Sequence, residues 1–223
     1  MKRISLYLSV ALFAFIVFSQ SGAEAVNRTF AERFASSTKI GDSGVYTFDK
    51  AHSFIQFSIN HFGLTNVPGF FRDFTGTINF DAKDISRSTV EFTAKAASVD
   101  TGVAPRDNHL RTADFFEVEK YPDITFKSTK VQKKGKKWML TGDFTMKGVT
   151  RSITFPFDIV GWLPADKNSG GKMGIAAETT INRRDYGINY GSNLPSGIPA
   201  VGDIVKISLQ IDAGKAKDAP KAN

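Results

Sequence analysis

Residues 149–159 read Val-Thr-Arg-Ser-Ile-Thr-Phe-Pro-Phe-Asp-Ile, an alternation of period two. Val149, Arg151, Ile153, Phe155, Phe157 and Ile159 project to one side of an extended chain, while Thr150, Ser152, Thr154, Pro156 and Asp158 project to the other. A helix would scatter both sets around its circumference, so the pattern specifies a half-buried β-strand. Working outward, Val205, Ile207, Leu209 and Ile211 oppose Ile204, Lys206, Ser208 and Gln210 in the same way. Val90, Phe92, Ala94 and Ala96 oppose Thr89, Glu91, Thr93 and Lys95, and Phe74, Gly76, Ile78 and Phe80 oppose Thr75, Thr77 and Asn79. Turn chemistry separates these runs at Asp81-Ala82-Lys83-Asp84, Lys133-Lys134-Gly135, Lys147-Gly148 and Asn168-Ser169-Gly170-Gly171. About eight strands joined largely as neighbours predict an all-β antiparallel meander.

The run from Val149 to Ile159 is 11 residues long, roughly twice the usual strand, and extends about 35 Å at about 3.3 Å per residue. Long twisted strands in one sheet tend to close, and an eight-stranded barrel either fills with side chains or holds one small ligand. Ala94, Ala96, Gly76 and Gly142 on inward faces would leave room along the axis. A two-sheet sandwich with a dry core is the alternative on pattern alone. Pro156 cannot donate to a ladder and suggests an edge or a bulge. Between Gly102 and Tyr121 the alternation stops. Pro105 opens a polar stretch leading to His109-Leu110 and Phe115-Phe116, which predicts a short helix closing one end.

Among 223 residues, 20 are Phe and none is Cys. The absence of cysteine excludes disulfides, thiolate metal sites, a cysteine nucleophile and an amino-terminal lipid on Cys. Lys2 and Arg3, an apolar run from Ile4 to Phe18 and the closing Ala23-Glu24-Ala25 have the layout of a secretory signal peptide, residues 1–25. The apolar run is shorter than the roughly 20 residues of a bilayer span. Cleavage after Ala25 lowers the formal charge from +7 to +6, too diffuse for a nucleic-acid partner. The expected location is the periplasm, or the exterior for a host without an outer membrane. Residues 26–44 are expected to form a linker with a short helix around Phe30 to Phe34, 45–213 the barrel, and 214–223 a disordered tail.

Three histidines, His52, His61 and His109, are present. Read as one continuous strand, the stretch from His52 to His61 puts these two on opposite faces, which argues against zinc. No G-x-S-x-G elbow occurs, and the glycine-rich pieces at 168–174 and 187–202 read as loops. Lys127, Lys130, Lys133, Lys134, Lys136 and Lys137 span a predicted hairpin, either a solvated turn or a contact for anionic lipid head groups. Two polar constellations remain: Arg106-Asp107-Asn108-His109-Leu110-Arg111 beside Phe115-Phe116, and Asn182-Arg183-Arg184-Asp185-Tyr186-Gly187. Paired Arg and Asp lock loops together; at a barrel mouth, the same arginines would bind a phosphate or a polarised carbonyl.

Tyr46 to Phe71 (YTFDKAHSFIQFSINHFGLTNVPGFF), Val99 to Thr129, Gly142 to Phe157 (GDFTMKGVTRSITFPF) and Ile181 to Ile188 (INRRDYGI) together resemble the YceI-like family of bacterial exported proteins. Asp49, His52, Ser53, Phe57 and His61 fall on its first motif. Arg106, Asp107, His109, Leu110, Arg111, Asp114, Phe115, Phe116, Tyr121 and Pro122 fall on the second, and Asn182, Arg183, Asp185, Tyr186 and Gly187 on the third. The resemblance implies a closed eight-stranded, extended lipocalin-like antiparallel barrel. Its apolar tunnel would hold a polyisoprenoid or a similar amphiphile such as an isoprenoid quinone, a prenyl pyrophosphate or a fatty amide.

The leading expectation is therefore a non-enzymatic periplasmic carrier or sequestering protein that needs no cofactor. The ligand-binding residues expected in the first motif are His52, Phe54, Phe57 and His61. Those of the second are Arg106, Asp107, His109, Leu110, Phe115 and Phe116, and those of the third are Arg183, Asp185 and Tyr186. Head-group contact is assigned to His61, His109, Arg106, Arg183 and Tyr186. One alternative is an enzyme acting on a lipid or quinone at the barrel mouth, with His109 and either Asp107 or Asp185 as acid and base. Another is an envelope stress protein docking on anionic membranes through the lysine hairpin. A second copy of the chain, in a homodimer, is a further partner to test.

Overall fold

The structure is a computed structural model that describes residues 41–166 and 170–215. The expected signal peptide, most of the expected linker with its short helix, and the end of the expected tail lie outside the described residues.

Among the described residues, eleven strands form one antiparallel sheet. They are β1 (Gly44–Phe48), β2 (Phe54–His61), β3 (Thr65–Phe71), β4 (Phe74–Phe80), β5 (Thr89–Lys95), β6 (Val99–Asp100), β7 (Asp123–Lys134), β8 (Lys137–Met146), β9 (Val149–Leu163), β10 (Lys172–Asn182) and β11 (Val201–Lys215). The sheet reduces to eight staves because three of them are interrupted. β1 and β2 lie end to end along β11, with Phe48 opposite Ala213 and Phe54 opposite Gln210. β3 and β4 run along β2 and β1, and β6 and β5 along β3 and β4. From β5 the order continues through β7, β8, β9 and β10 to β11, which closes the ring on β1 and β2. The fold is a closed eight-stranded antiparallel barrel with the short helix α1 (Ala104–Leu110) at one end.

The breaks are where long staves bend. At the first, Ser53 replaces a ladder step: its hydroxyl donates to Asp212 O at 3.1 Å and accepts from Asp212 N at 2.9 Å. At the second and third, Lys95 N donates to Asp73 O at 2.8 Å and Arg72 N to Ser98 O at 3.1 Å, so neighbouring staves kink together. Lys147 and Gly148, both at positive φ (49° and 74°), make the two-residue connection between β8 and β9. That backbone matches the twist of a hairpin.

The alternation read from the sequence becomes inside and outside. Phe155, Ile211, Ile78, Phe80 and Ala94 are buried, whereas Thr154, Ser152, Thr75 and Thr77 face solvent. Tyr46, Phe80 and Trp162 close the end opposite α1, with Phe80 and Trp162 ring centroids 4.8 Å apart and Tyr46 and Trp162 5.8 Å apart. One sequence reading needs correction. His52 lies in the turn between β1 and β2, not on a strand continuous with His61, because the chain bends at Asp49, whose carbonyl accepts from His52 N at 3.1 Å. Pro156 bears out the expected edge: it pairs with Met139 of β8 on one side, and on the other the β9–β10 ladder stops at Phe157, so the missing N–H costs no bond there.

Candidate functional site

Inward side chains of β2, β3, β5 and β7 to β11 enclose a cavity of about 310 Å³. Its wall is overwhelmingly apolar and includes Ile55, Phe57 and Ile59 of β2, Ile124 and Phe126 of β7, Phe144 and Met146 of β8, and Val205, Ile207 and Leu209 of β11. Phe57 can lie flat because its cross-strand partner is Gly69, where a Cβ would fall 2.2 Å from the Phe57 ring. Against this wall, Phe71 packs edge-on to Phe116 at 5.5 Å.

The end covered by α1 is the polar one. Pro105 stands in the first turn of the helix, where no N–H is needed. Asp107 is buried and accepts from Thr101 N at 2.9 Å and Thr101 Oγ1 at 2.5 Å. Arg111 donates to the carbonyls of Ala97 (2.8 Å) and Val99 (3.0 Å) and so ties the helix to the barrel. Around this end the cavity is bordered by His61, Thr101, Arg106, His109 and Tyr190. Arg106 donates to Thr101 Oγ1 at 2.7 Å and to Thr101 O at 2.9 Å. His109 Nε2 is 2.8 Å from Asp114 Oδ2, and its ring stands edge-on to Phe115 (5.1 Å) and Tyr190 (4.9 Å).

The cavity thus brings together Phe57, His61, Arg106, His109, Leu110, Phe115, Phe116 and Arg183 from the three motifs. The other expected residues stand elsewhere. His52 pairs with Asp49 at 2.8 Å on the surface, and Phe54 faces outward against Phe70. Asp107 holds the Thr101 turn. Asp185 is exposed and Tyr186 is buried edge-on to Phe144; both border a separate outer groove with Arg151 and Thr180. Of the acid and base residues in the enzyme alternative, His109 borders the cavity and contacts Asp114, Asp107 is engaged by Thr101, and Asp185 borders the outer groove.

Arg183 borders the cavity but is already engaged. Only 3% exposed at its side chain, it donates to Gly202 O (2.8 Å), Ile188 O (2.8 Å), Val201 O (3.1 Å) and Asp203 Oδ1 (3.2 Å). Burial pulls the guanidinium below its ordinary proton affinity, with Asp203 opposing. It anchors the β10–β11 connection rather than offering free donors. Thr101 and Tyr190 were missed from the sequence. Tyr190 lies in a glycine-rich connection with no periodicity, where its only signal is an aromatic residue following the third motif.

The lysine hairpin lies far from this rim. The cavity touches the start of β7 at Ile124 and Phe126 and the end of β8 at Phe144 and Met146, so Lys133, Lys134, Lys136 and Lys137 are at the opposite end. At the β1–β2 break, Asp49, His52 and Asp212 offer ligand atoms within 4.8 Å of one another. Lys172 Nζ occupies the cation position there, 3.2 Å from Asp49 Oδ2 and 3.1 Å from Asp212 Oδ2. Hydrogen bonds from His52 and then Lys172 lower the Asp49 pKa to about 2.

The chain thus forms a closed, lipocalin-like antiparallel barrel, a class whose interior either fills with side chains or holds one small ligand, and here an apolar chamber lies behind a polar, partly cationic rim. The family follows from comparison: the model of the YceI-like domain matches residues 46–213, and the chain belongs to the YceI-like family. Protein YceI of Escherichia coli O157:H7 is 42% identical over 146 residues, covering 64% of this chain and 75% of that protein. The crystal structure of the Campylobacter jejuni YCEI protein superposes with a TM-score of 0.61 at 32% identity, over 77% of this chain and 98% of that one. A polyisoprenoid binding domain from Saccharophagus degradans shares the fold at 15% identity, with a TM-score of 0.57 over 76% of this chain and 98% of that domain. Among the described residues, no helix is long and apolar enough to cross a membrane.

Proposed function

We propose that the protein is an exported, non-enzymatic carrier or sequestering protein of the periplasm. Its cargo is a long-chain amphiphile of the polyisoprenoid class, isoprenoid quinones included, with the chain in the cavity and the polar end at Arg106, His61 and His109. The observation that carries this reading is a cavity of about 310 Å³ with an apolar wall and polar groups gathered at one end. At about 30 Å³ per atom, the volume of a liquid water, the chamber takes about ten carbons. Each buried CH₂ contributes about 0.8 kcal/mol, so the gross transfer free energy is about 8 kcal/mol, less the freedom lost on association. The polyisoprenoid binding domain of the same fold makes that ligand class the first to test.

Protein produced with its leader and purified from the periplasm should release a long-chain species into organic solvent, identified by mass spectrometry. Amino-terminal sequencing of the same sample should begin at Val26. Protein that yields no lipid under several expression conditions, and that fails to take up added isoprenoid quinone, would overturn the carrier reading.

A further inference from the structure

Beyond the main cavity, toward the closed end, lies a second apolar chamber of about 60 Å³. Ile55, Phe92, Phe126, Phe155 and Leu209 line both, so these five side chains form the partition between them. Three of them are phenylalanines in contact. The Phe126 ring is stacked on Phe92 with centroids 5.6 Å apart and planes 20° apart, and it is tilted against Phe155 at 5.5 Å. Phe126 is central and is 2% exposed. Its ring extends over Gly142 of β8, where a Cβ would stand 2.5 Å from Phe126 Cζ. The missing side chain at 142 therefore leaves room for the ring tip against β8, between the two chambers. Past it, the walls are apolar except for Ser88, and they include Ile78, Phe80, Val131, Leu140, Ile159 and Met173. A hydrophobic space that continues behind a ring of aromatics has no polar group to stop a chain; only the rings stop it.

We propose that Phe126, backed by Phe92 and Phe155, is a gate between the two chambers whose ring a long chain must displace to pass, a refinement that rests on the carrier reading. At about 30 Å³ per atom, the outer chamber holds about ten carbons, two prenyl units, and the inner one about two more. A third prenyl unit fits only if the Phe126 ring moves aside. Replacing Phe126 by Ala removes six ring carbons, which opens about 180 Å³ on the same measure and joins the chambers.

The test compares delipidated wild type, Phe126→Ala and Phe126→Leu, each shown to be folded by its melting transition. Binding of geraniol, farnesol and geranylgeraniol (ten, fifteen and twenty carbons) is measured by displacement of a fluorescent probe. In the wild type, the step from ten to fifteen carbons is expected to raise affinity less than threefold. In Phe126→Ala the same step should raise it at least tenfold, within the roughly 10³-fold that five fully buried carbons allow, and Phe126→Leu should fall between. Phe126→Leu keeps an apolar side chain at the partition and serves alone if the alanine variant does not fold. Equal increments in the wild type and the folded variants would overturn the gating role while leaving the carrier reading in place. Failure of the wild type to bind any of the three alcohols would overturn both.

Discussion

Replacing Arg183 by Met should remove the strut of the β10–β11 connection, and its effect follows from four contacts. The guanidinium is all but fully buried and supplies donors to the carbonyls of Gly202, Ile188 and Val201 and to Asp203. Met fills much of the same volume and donates nothing. Asp203 keeps Arg184, whose Nε lies 2.7 Å away, so the loss falls on the three carbonyls, of which Ile188 belongs to a buried residue. An unsatisfied buried acceptor costs about 1–3 kcal/mol, and breaking a buried charged network costs about 3–5 kcal/mol. Against this, the desolvation that pulls the Arg183 proton affinity down is relieved in the variant. The net loss should be about 3 kcal/mol, or about 6–12 °C in Tm for a barrel of this size. Urea unfolding followed by circular dichroism should show a lower midpoint at an unchanged slope. Arg183→Lys should recover less than half, because a single ammonium cannot reach acceptors spread around a planar fork. A loss below about 1 kcal/mol for Arg183→Met, or a lysine variant as stable as the wild type, would refute the strut.

The pH dependence of stability should carry the mark of Asp49. Its folded pKa is lowered to about 2 from 3.8 by His52 and Lys172, so the unfolded chain takes up the proton first. The contribution is complete above about pH 4 and disappears as pH falls toward 2; Asp49→Asn should flatten the melting temperature across that window alone. Gly142→Ala should destabilise by about 1–3 kcal/mol, measured by chemical unfolding, because the new Cβ would lie 2.5 Å from both Lys127 O and the Phe126 ring. Ile207→Trp adds six heavy atoms to the cavity wall, about 180 Å³ on the liquid-water measure against about 310 Å³. It should cut lipid recovered per mole of protein by at least half while leaving the melting temperature within a few degrees.

Strand periodicity was legible because side-chain direction in a strand is a local property. Phe155, Phe157 and Ile159 had to share a face whatever lay across from them, and the inward rows of β4, β5 and β11 follow the same rule. The motifs brought eight of the expected residues to one cavity, from Phe57 on β2 to Arg183 after β10. Where the chain bends at Asp49 or wraps a turn at Thr101, local pattern misleads: His52, Phe54, Asp107, Asp185 and Tyr186 belong to motifs yet support the surface, a turn or the outer groove. Sequence identifies a polar residue near the rim but not its partner. Thus His109 meets Asp114, and the donors of Arg183 close on backbone carbonyls that carry no sequence signature.

The sequence by itself determined an all-β antiparallel meander with an aromatic interior, since alternation, turn residues and the excess of phenylalanine act at short range. Only the tertiary structure decided that the meander closes on β1 and β2 through three bent staves, and that its lumen is partly hollow. It also decided that Phe126, packed over Gly142, stands between its two chambers. The physical reason is that a cavity is what remains when side chains from eight strands fail to fill their common axis. That shortfall depends on distances between residues as far apart in the chain as Ile55 and Leu209, which no local pattern encodes.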